Sequence, residues 1–229
     1  MKKRLINLFG LSLLISVSGY SQTVIKPNYG LKSHETLEIK KIECDSESTS
    51  VFLSIENKIQ GGAFCADKNI YILYPDGTKS RLLSSNGIPV CPESYKFKTI
   101  GEKLDFILVF PPLKAGTEWI DLVEDCDENC FSFYGITLDN DLNSKINDSF
   151  GLAEGGETSK ALIGFIDLIG TIDNKNTGIE GLIYISIIKI ADEAGSEEVA
   201  SEWTERMRSS GAPRLQLYIR NLESQGIKY

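Results

Sequence analysis

Near residue 150 the spacing of apolar residues changes, and a chain with that change cannot be a single sheet or a single helical bundle. Before it, apolar residues recur every second position in short runs; after it, they recur every third or fourth. Thr36 to Glu43 alternates apolar and charged residues, and Thr49 to Glu56 repeats the pattern after a polar turn, as in a hairpin. Asn69 to Tyr74 runs into Tyr74-Pro75-Asp76-Gly77, a turn sequence, and Thr78 to Leu83 returns. Tyr95 to Thr99, Lys103 to Phe110, Glu118 to Val123 and Phe131 to Leu138 complete seven or eight strands with no helical crossover between them. That arrangement predicts an antiparallel β-sandwich rather than a parallel sheet.

From Ser159 the rhythm is helical. Leu162, Phe165, Ile166, Ile169 and Ile172 share one face, with Thr158 or Ser159 as N-cap. Residues 179 to 194 read as a second helix, with a buried strand as the alternative because the centre is rich in β-branched residues. Ser196 opens a third with Val199, Trp203 and Met207 inward, and Ala212-Pro213 a fourth with Leu215, Tyr218, Ile219 and Leu222 inward. The expected fold class is therefore α+β: a β-sandwich over 22–138, a polar linker over 139–158, and about four helices over 159–229. The helical region has no cysteine, and a core of its size needs a surface to lean on: the sandwich, a second copy or a partner.

Residues 1–21 carry basic Met1-Lys2-Lys3-Arg4, an apolar run from Leu5 to Val17, and Ser18-Gly19-Tyr20-Ser21. This is the pattern of a secretory signal peptide cut before Gln22, and it predicts an exported protein, periplasmic or extracellular, with no membrane span after cleavage. Export favours disulfides among Cys44, Cys65, Cys91, Cys126 and Cys130. Five cysteines and two bridges allow many pairings; the turn-rich settings of Cys65 and Cys91 and the short loop between Cys126 and Cys130 make these the preferred pairs, with Cys44 left over.

The net charge of −8 drops to −11 once Lys2, Lys3 and Arg4 are removed, and no basic cluster follows them. Nucleic acid and anionic membrane surfaces are poor partners for such a chain. The single histidine, His34, has no GxSxG elbow to serve, one histidine excludes an HExxH zinc site, and neither a Walker loop nor GxGxxG occurs. No catalytic or cofactor-binding residues emerge. Calcium is the one cofactor with any lead. Asp139-Asn-Asp141-Leu-Asn143 resembles half of a calcium loop but lacks its Gly and Glu; Asp173 to Gly178 has the Gly but not the ligands. The run containing Asp121, Glu124, Asp125 and Asp127 would have its repulsion relieved by a cation, although strand alternation sends half of such side chains to opposite faces. Trp119, Phe131, Phe133 and Tyr134 could form a sugar platform, or simply core.

Lys103-Leu-Asp-Phe-Ile-Leu-Val-Phe-Pro-Pro-Leu-Lys-Ala-Gly-Thr-Glu-Trp-Ile-Asp-Leu-Val-Glu124 followed by Phe133-Tyr-Gly-Ile-Thr-Leu138 resembles the closing strands of an immunoglobulin-like β-sandwich module of exported bacterial proteins. The likeness covers residues 36–138 and implies the fold alone; the Cys-Trp-Cys arrangement of antibody domains is missing. Pro111-Pro112 agrees with it, since neither can donate to a ladder and both end a strand. The functional expectation is an exported, non-catalytic binding or structural protein whose sandwich supports a helical docking region for a protein partner or a second copy. The alternatives are a carboxylate-dependent extracellular hydrolase and a calcium- or carbohydrate-binding module.

Overall fold

A computed structural model describes residues 21–172 and 177–229. The leader expected at 1–21 and the Asp173 end of one calcium-loop lead lie outside the described residues, apart from Ser21 and residues 177–178. The sheet half contains β1 (Gln22–Ile25), β2 (Leu31–Lys32), β3 (Leu37–Cys44), β4 (Thr49–Glu56), β5 (Ala63–Phe64), β6 (Ile70–Leu73), β7 (Lys79–Arg81), β8 (Ser84–Asn86), β9 (Tyr95–Lys96), β10 (Lys103–Phe110), β11 (Trp119–Glu124) and β12 (Ser132–Thr137). They form two five-stranded antiparallel sheets, β1-β3-β4-β10-β8 and β2-β12-β11-β6-β7, and a small β5-β9 pair. Both larger sheets feed one apolar core, with Leu37, Val51, Leu53 and Leu108 from the first and Ile70, Ile72, Leu122 and Phe133 from the second.

Strand β3 shows how sequence sets register. In Leu37-Glu-Ile-Lys-Lys-Ile-Glu-Cys44 the apolar positions are two apart except between Ile39 and Ile42, where they are three apart. A regular strand would turn half of them to solvent. A β-bulge absorbs the extra residue: Ile39 pairs with Leu53 while Lys41 pairs with Phe52, so Leu37, Ile39, Ile42 and Cys44 all face the core. Disulfides join Cys65 to Cys91 and Cys126 to Cys130, and Cys44 is a buried free thiol.

The second half holds five helices rather than four: α1 (Asn140–Glu154), α2 (Thr158–Ile172), α3 (Glu180–Glu193), α4 (Glu197–Ser209) and α5 (Leu215–Ser224). The stretch expected as a linker is mostly α1. Its sequence looks unstructured because its apolar face is thin, with Leu142 and Ile146 as its buried apolar residues. Asp139, a calcium-loop lead, is its N-cap, and its carboxylate accepts from the N–H groups of Asp141 and Leu142 at 2.8 and 3.1 Å. Residues 179–194 are helical, since α3 is surrounded by helices and its β-branched residues are buried on nearly every side. Pro213 does not open the last helix; Arg214 follows it in the left-handed region at φ 58°, and α5 starts at Leu215. The helices enclose a separate core built on Phe165, Ile183, Ile187, Trp203, Met207 and Tyr218.

Candidate functional site

The two halves meet on the outer face of β11 and β12. Ile120 pairs with Ile136 and Leu122 with Phe133, so Asp121 stands opposite two residues, Tyr134 and Gly135. Gly135, at φ +64°, is the residue this bulge requires, and its N–H donates to Asp121 Oδ1 at 2.8 Å. The Asp121 side chain is 0% exposed and its other oxygen pairs with the Arg214 guanidinium, itself 21% exposed. That guanidinium also lies 4.8 Å from the Tyr134 ring centre and 5.8 Å from that of Trp119. Burial pulls the Arg214 pKa below its ordinary value.

Glycines let the helices approach. A Cβ on Gly135 would stand 2.0 Å from the Gly178 carbonyl oxygen, one on Gly178 2.3 Å from the Trp119 ring, and one on Gly181 2.0 Å from the Tyr218 ring. A Cβ on Gly30 would stand 1.6 Å from the Tyr218 hydroxyl. Tyr218 thus fills a slot between the sheet and α3, where burial pushes its phenol well above the ordinary range, with Arg214 opposing and Glu180 adding to the shift. Glu180 is buried and accepts from the Thr177 N–H at 2.5 Å. At the other end of the junction Asn143 of α1 accepts from the Asn28 N–H at 2.7 Å and donates to the Thr137 carbonyl at 3.1 Å. Asn140 donates to the Thr23 carbonyl at 3.2 Å.

The acidic residues singled out in the sequence do not converge. Asp121 is committed to Gly135 and Arg214. The Glu124 carboxylate accepts from the N–H groups of Asp67 and Phe131 at 2.8 and 3.0 Å, which oppose the upward shift that burial imposes on it. Asp125, just before the loop closed by the Cys126–Cys130 bridge, and Asp127 within it are exposed. Among the described residues no group of three or more His, Cys, Asp or Glu side chains is placed to hold a metal. The aromatic platform is also dispersed: Phe131 and Phe133 are core, Trp119 lies under the helices, and Tyr134 lies beneath Arg214. His34 packs edge-on to Phe64, with ring centres 6.0 Å apart.

Arg214, Tyr218 and the glycines at 30, 135, 178 and 181 carry the junction and were not singled out in the sequence for it. Gly135 had no local turn signature to mark it, Gly178 was marked only as the glycine of a calcium-loop lead, and Arg214 finds Asp121 only through the tertiary fold.

A second feature lies on the helical half. Between α2 and α4, a groove of about 510 Å³ has Tyr184 and Trp203 in its lining, with Ile166, Gly170 and Arg206 along its sides. The Arg206 guanidinium sits 4.6 Å from the Trp203 ring centre and bonds Glu202 at 2.7 Å. Next to it on α2, Ile163 is 59% exposed. No protein-family model, no curated protein and no solved structure matches the chain.

Proposed function

We propose that the protein is an exported, non-catalytic binding or structural protein in which an immunoglobulin-like sandwich holds a helical region that docks a second copy of the chain. The two disulfides fit an oxidising compartment, and no described helix is long and apolar enough to cross a membrane. Strand order supports the immunoglobulin-like reading. With β3, β4, β6, β7, β8, β10, β11 and β12 taken as A, B, C, C′, D, E, F and G, the sheets become A-B-E-D and G-F-C-C′. The carboxylates that a hydrolase reading would need at 121 and 124 are spent on backbone N–H groups and Arg214.

The observation that carries the docking reading is the α2–α4 face. It presents an apolar knob, Ile163, and an aromatic-floored groove side by side, with exposed Asp167 and Arg206 of opposite charge beside them. A twofold contact needs both halves of the match on one surface, and this surface has them. Sedimentation velocity across a concentration series tests it. The chain from Gln22 should self-associate, Ile163→Lys should be monomeric, and Arg206→Asp should weaken association that Asp167→Arg in the same chain restores. A wild-type chain that stays monomeric at its solubility limit refutes this reading.

A further inference from the structure

One asparagine of the chain is followed by glycine, Asn86 at the end of β8, and we propose that this pair is a site of spontaneous covalent modification at which Asn86 becomes isoaspartate and aspartate. The reaction is intramolecular, so the attacking group is already in place. The Gly87 main-chain nitrogen gives up its proton and attacks the side-chain carbonyl carbon of Asn86; a C–N bond forms, ammonia leaves, and a five-membered succinimide ring results. Water then opens the ring. Addition at the main-chain carbonyl breaks that carbon's bond to the Gly87 nitrogen and leaves the chain running through the side-chain carbonyl, as isoaspartate. Addition at the side-chain carbonyl gives aspartate. Nothing is oxidised or reduced, and water is the one co-reactant.

The fold leaves both reacting groups free. Asn86 and Gly87 are exposed, and among the described residues neither the Asn86 side-chain amide nor the Gly87 N–H has a hydrogen-bond partner. Gly87 has no side chain to crowd the forming ring, and its φ of +83° is one that glycine tolerates. An extended backbone holds the amide away from the next nitrogen, so the ring closes when the end of β8 lifts. That opening is cheap, because β8 is an edge strand of three residues held on one side by β10. Every other asparagine of the chain precedes a residue with a side chain.

Asp76-Gly77, the one Asp-Gly pair, could close the same ring and shows what protection looks like. It too is exposed, with Gly77 at φ +80°. Its carboxylate, however, accepts from the Thr78 N–H at 2.9 Å and the Thr78 hydroxyl at 2.6 Å and pairs with Lys114 at 2.6 Å. The Lys114 ammonium and the Thr78 donors hold it ionised, well below the usual carboxylate range, and an ionised, tethered carboxylate is a poor electrophile. Asn86 has no such restraint. Its conversion places a negative charge in the depression that the exposed Asp105 also lines, and isoaspartate lengthens the main chain by one carbon at the residue paired with Ile107. Both changes loosen β8 from β10.

Incubation of the chain from Gln22 at neutral and mildly alkaline pH tests this, read by peptide mapping in a mass spectrometer and by labelling the digest with an isoaspartyl methyltransferase. The same chain unfolded in guanidinium chloride sets the time base. In the folded chain Asn86 should gain about 1 Da at least tenfold faster than any other asparagine, and faster at the higher pH, with isoaspartate present beside aspartate. Asp76 should stay unmodified, and Asn86→Ser should show no gain in that peptide. Once Asn86 has become isoaspartate, the Leu83 N–H, which bonds the Val109 carbonyl at 2.8 Å, should exchange with solvent at least tenfold faster. An Asn86 that stays intact in the folded chain while the unfolded chain converts, an asparagine elsewhere that converts first, or aspartate without isoaspartate overturns the site. Unchanged exchange at Leu83 overturns the loosening of β8.

Discussion

Truncating Arg214 to Ala tests whether the buried pair is what joins the two halves. Asp121 is fully buried, and without the guanidinium its carboxylate keeps the hydrogen bond from the Gly135 N–H. Breaking a buried pair by removing one member costs about 3–5 kcal/mol, because the remaining charge is left uncompensated. The contacts with Tyr134 and Trp119 add about 0.5–1 kcal/mol each at partly exposed sites. Water entering the vacated space recovers part of this, so the expected loss is about 4 kcal/mol, against a total of about 5–15 kcal/mol for an ordinary domain. In a domain of this length that lowers the melting temperature by about 8–16 °C. The two tryptophans make the assay specific, since Trp119 sits at the junction and Trp203 in the helical core. In urea, single-tryptophan versions of the parent should report one midpoint. In Arg214→Ala the Trp119 signal should change first. Asp121→Asn combined with Arg214→Met removes both charges and should be at least about 2 kcal/mol more stable than the sum of the single losses. A loss under about 1 kcal/mol with coincident probes would refute the reasoning, since that is what an exposed ion pair is worth.

Gly30→Ala drives a methyl into the Tyr218 hydroxyl and should cost about 1–3 kcal/mol, with the Tyr218→Phe background losing less than the sum; equal, additive losses in urea melts would show that Tyr218 does not fill the slot. The Tyr218 phenol is raised in the fold, so the unfolded chain releases its proton first as pH rises. The stability it contributes is complete below the unfolded value near 10 and is lost above it, at up to about 1.4 kcal/mol per pH unit. Tyr218→Phe should therefore show a shallower fall in stability between about pH 10 and 11, and identical slopes would contradict the burial of that phenol. Burial also pushes the Cys44 thiol up, and the residue is 5% exposed, so a thiol reagent should label one cysteine in denaturant and almost none in the native protein; rapid native labelling would show that the end of β3 opens.

The strands were legible where apolar alternation is long. Expected bounds for the strands from Thr49 to Glu56 and Lys103 to Phe110 coincide with β4 and β10, two interior strands of their sheet. Short edge strands such as β2, β5 and β8 were not legible, because two or three residues cannot display a period. The bulge in β3 leaves a trace, the adjacent lysines between Ile39 and Ile42, which reads as a defect until the burial of both isoleucines explains it. Helix α1 was hidden for the opposite reason: its face against its neighbours is partly polar, with Asn143 and Ser149 buried beside Leu142 and Ile146. The acidic run misled because charge density along the chain says nothing of partners. Asp121 and Glu124 are buried among N–H groups and a cation, while Asp125 and Asp127 project into solvent.

The nature of the junction follows from the two cores it connects. Each half buries most of its own apolar residues, and apart from Leu31 of β2, which packs against the helical core, the shared face is left to an ion pair, asparagines, aromatic rings and glycines. An apolar seam could slide, since hydrophobic attraction has no direction. The Asp121–Arg214 bond and the Tyr218 slot fix one orientation, because a shift removes a buried charge from its partner or drives a ring into backbone. The bulge at Gly135 is therefore the element on which the arrangement turns. It supplies the extra N–H that holds Asp121 in place and the missing Cβ that admits the Gly178 carbonyl, so a side chain at 135 would disturb the carboxylate and the helical half together.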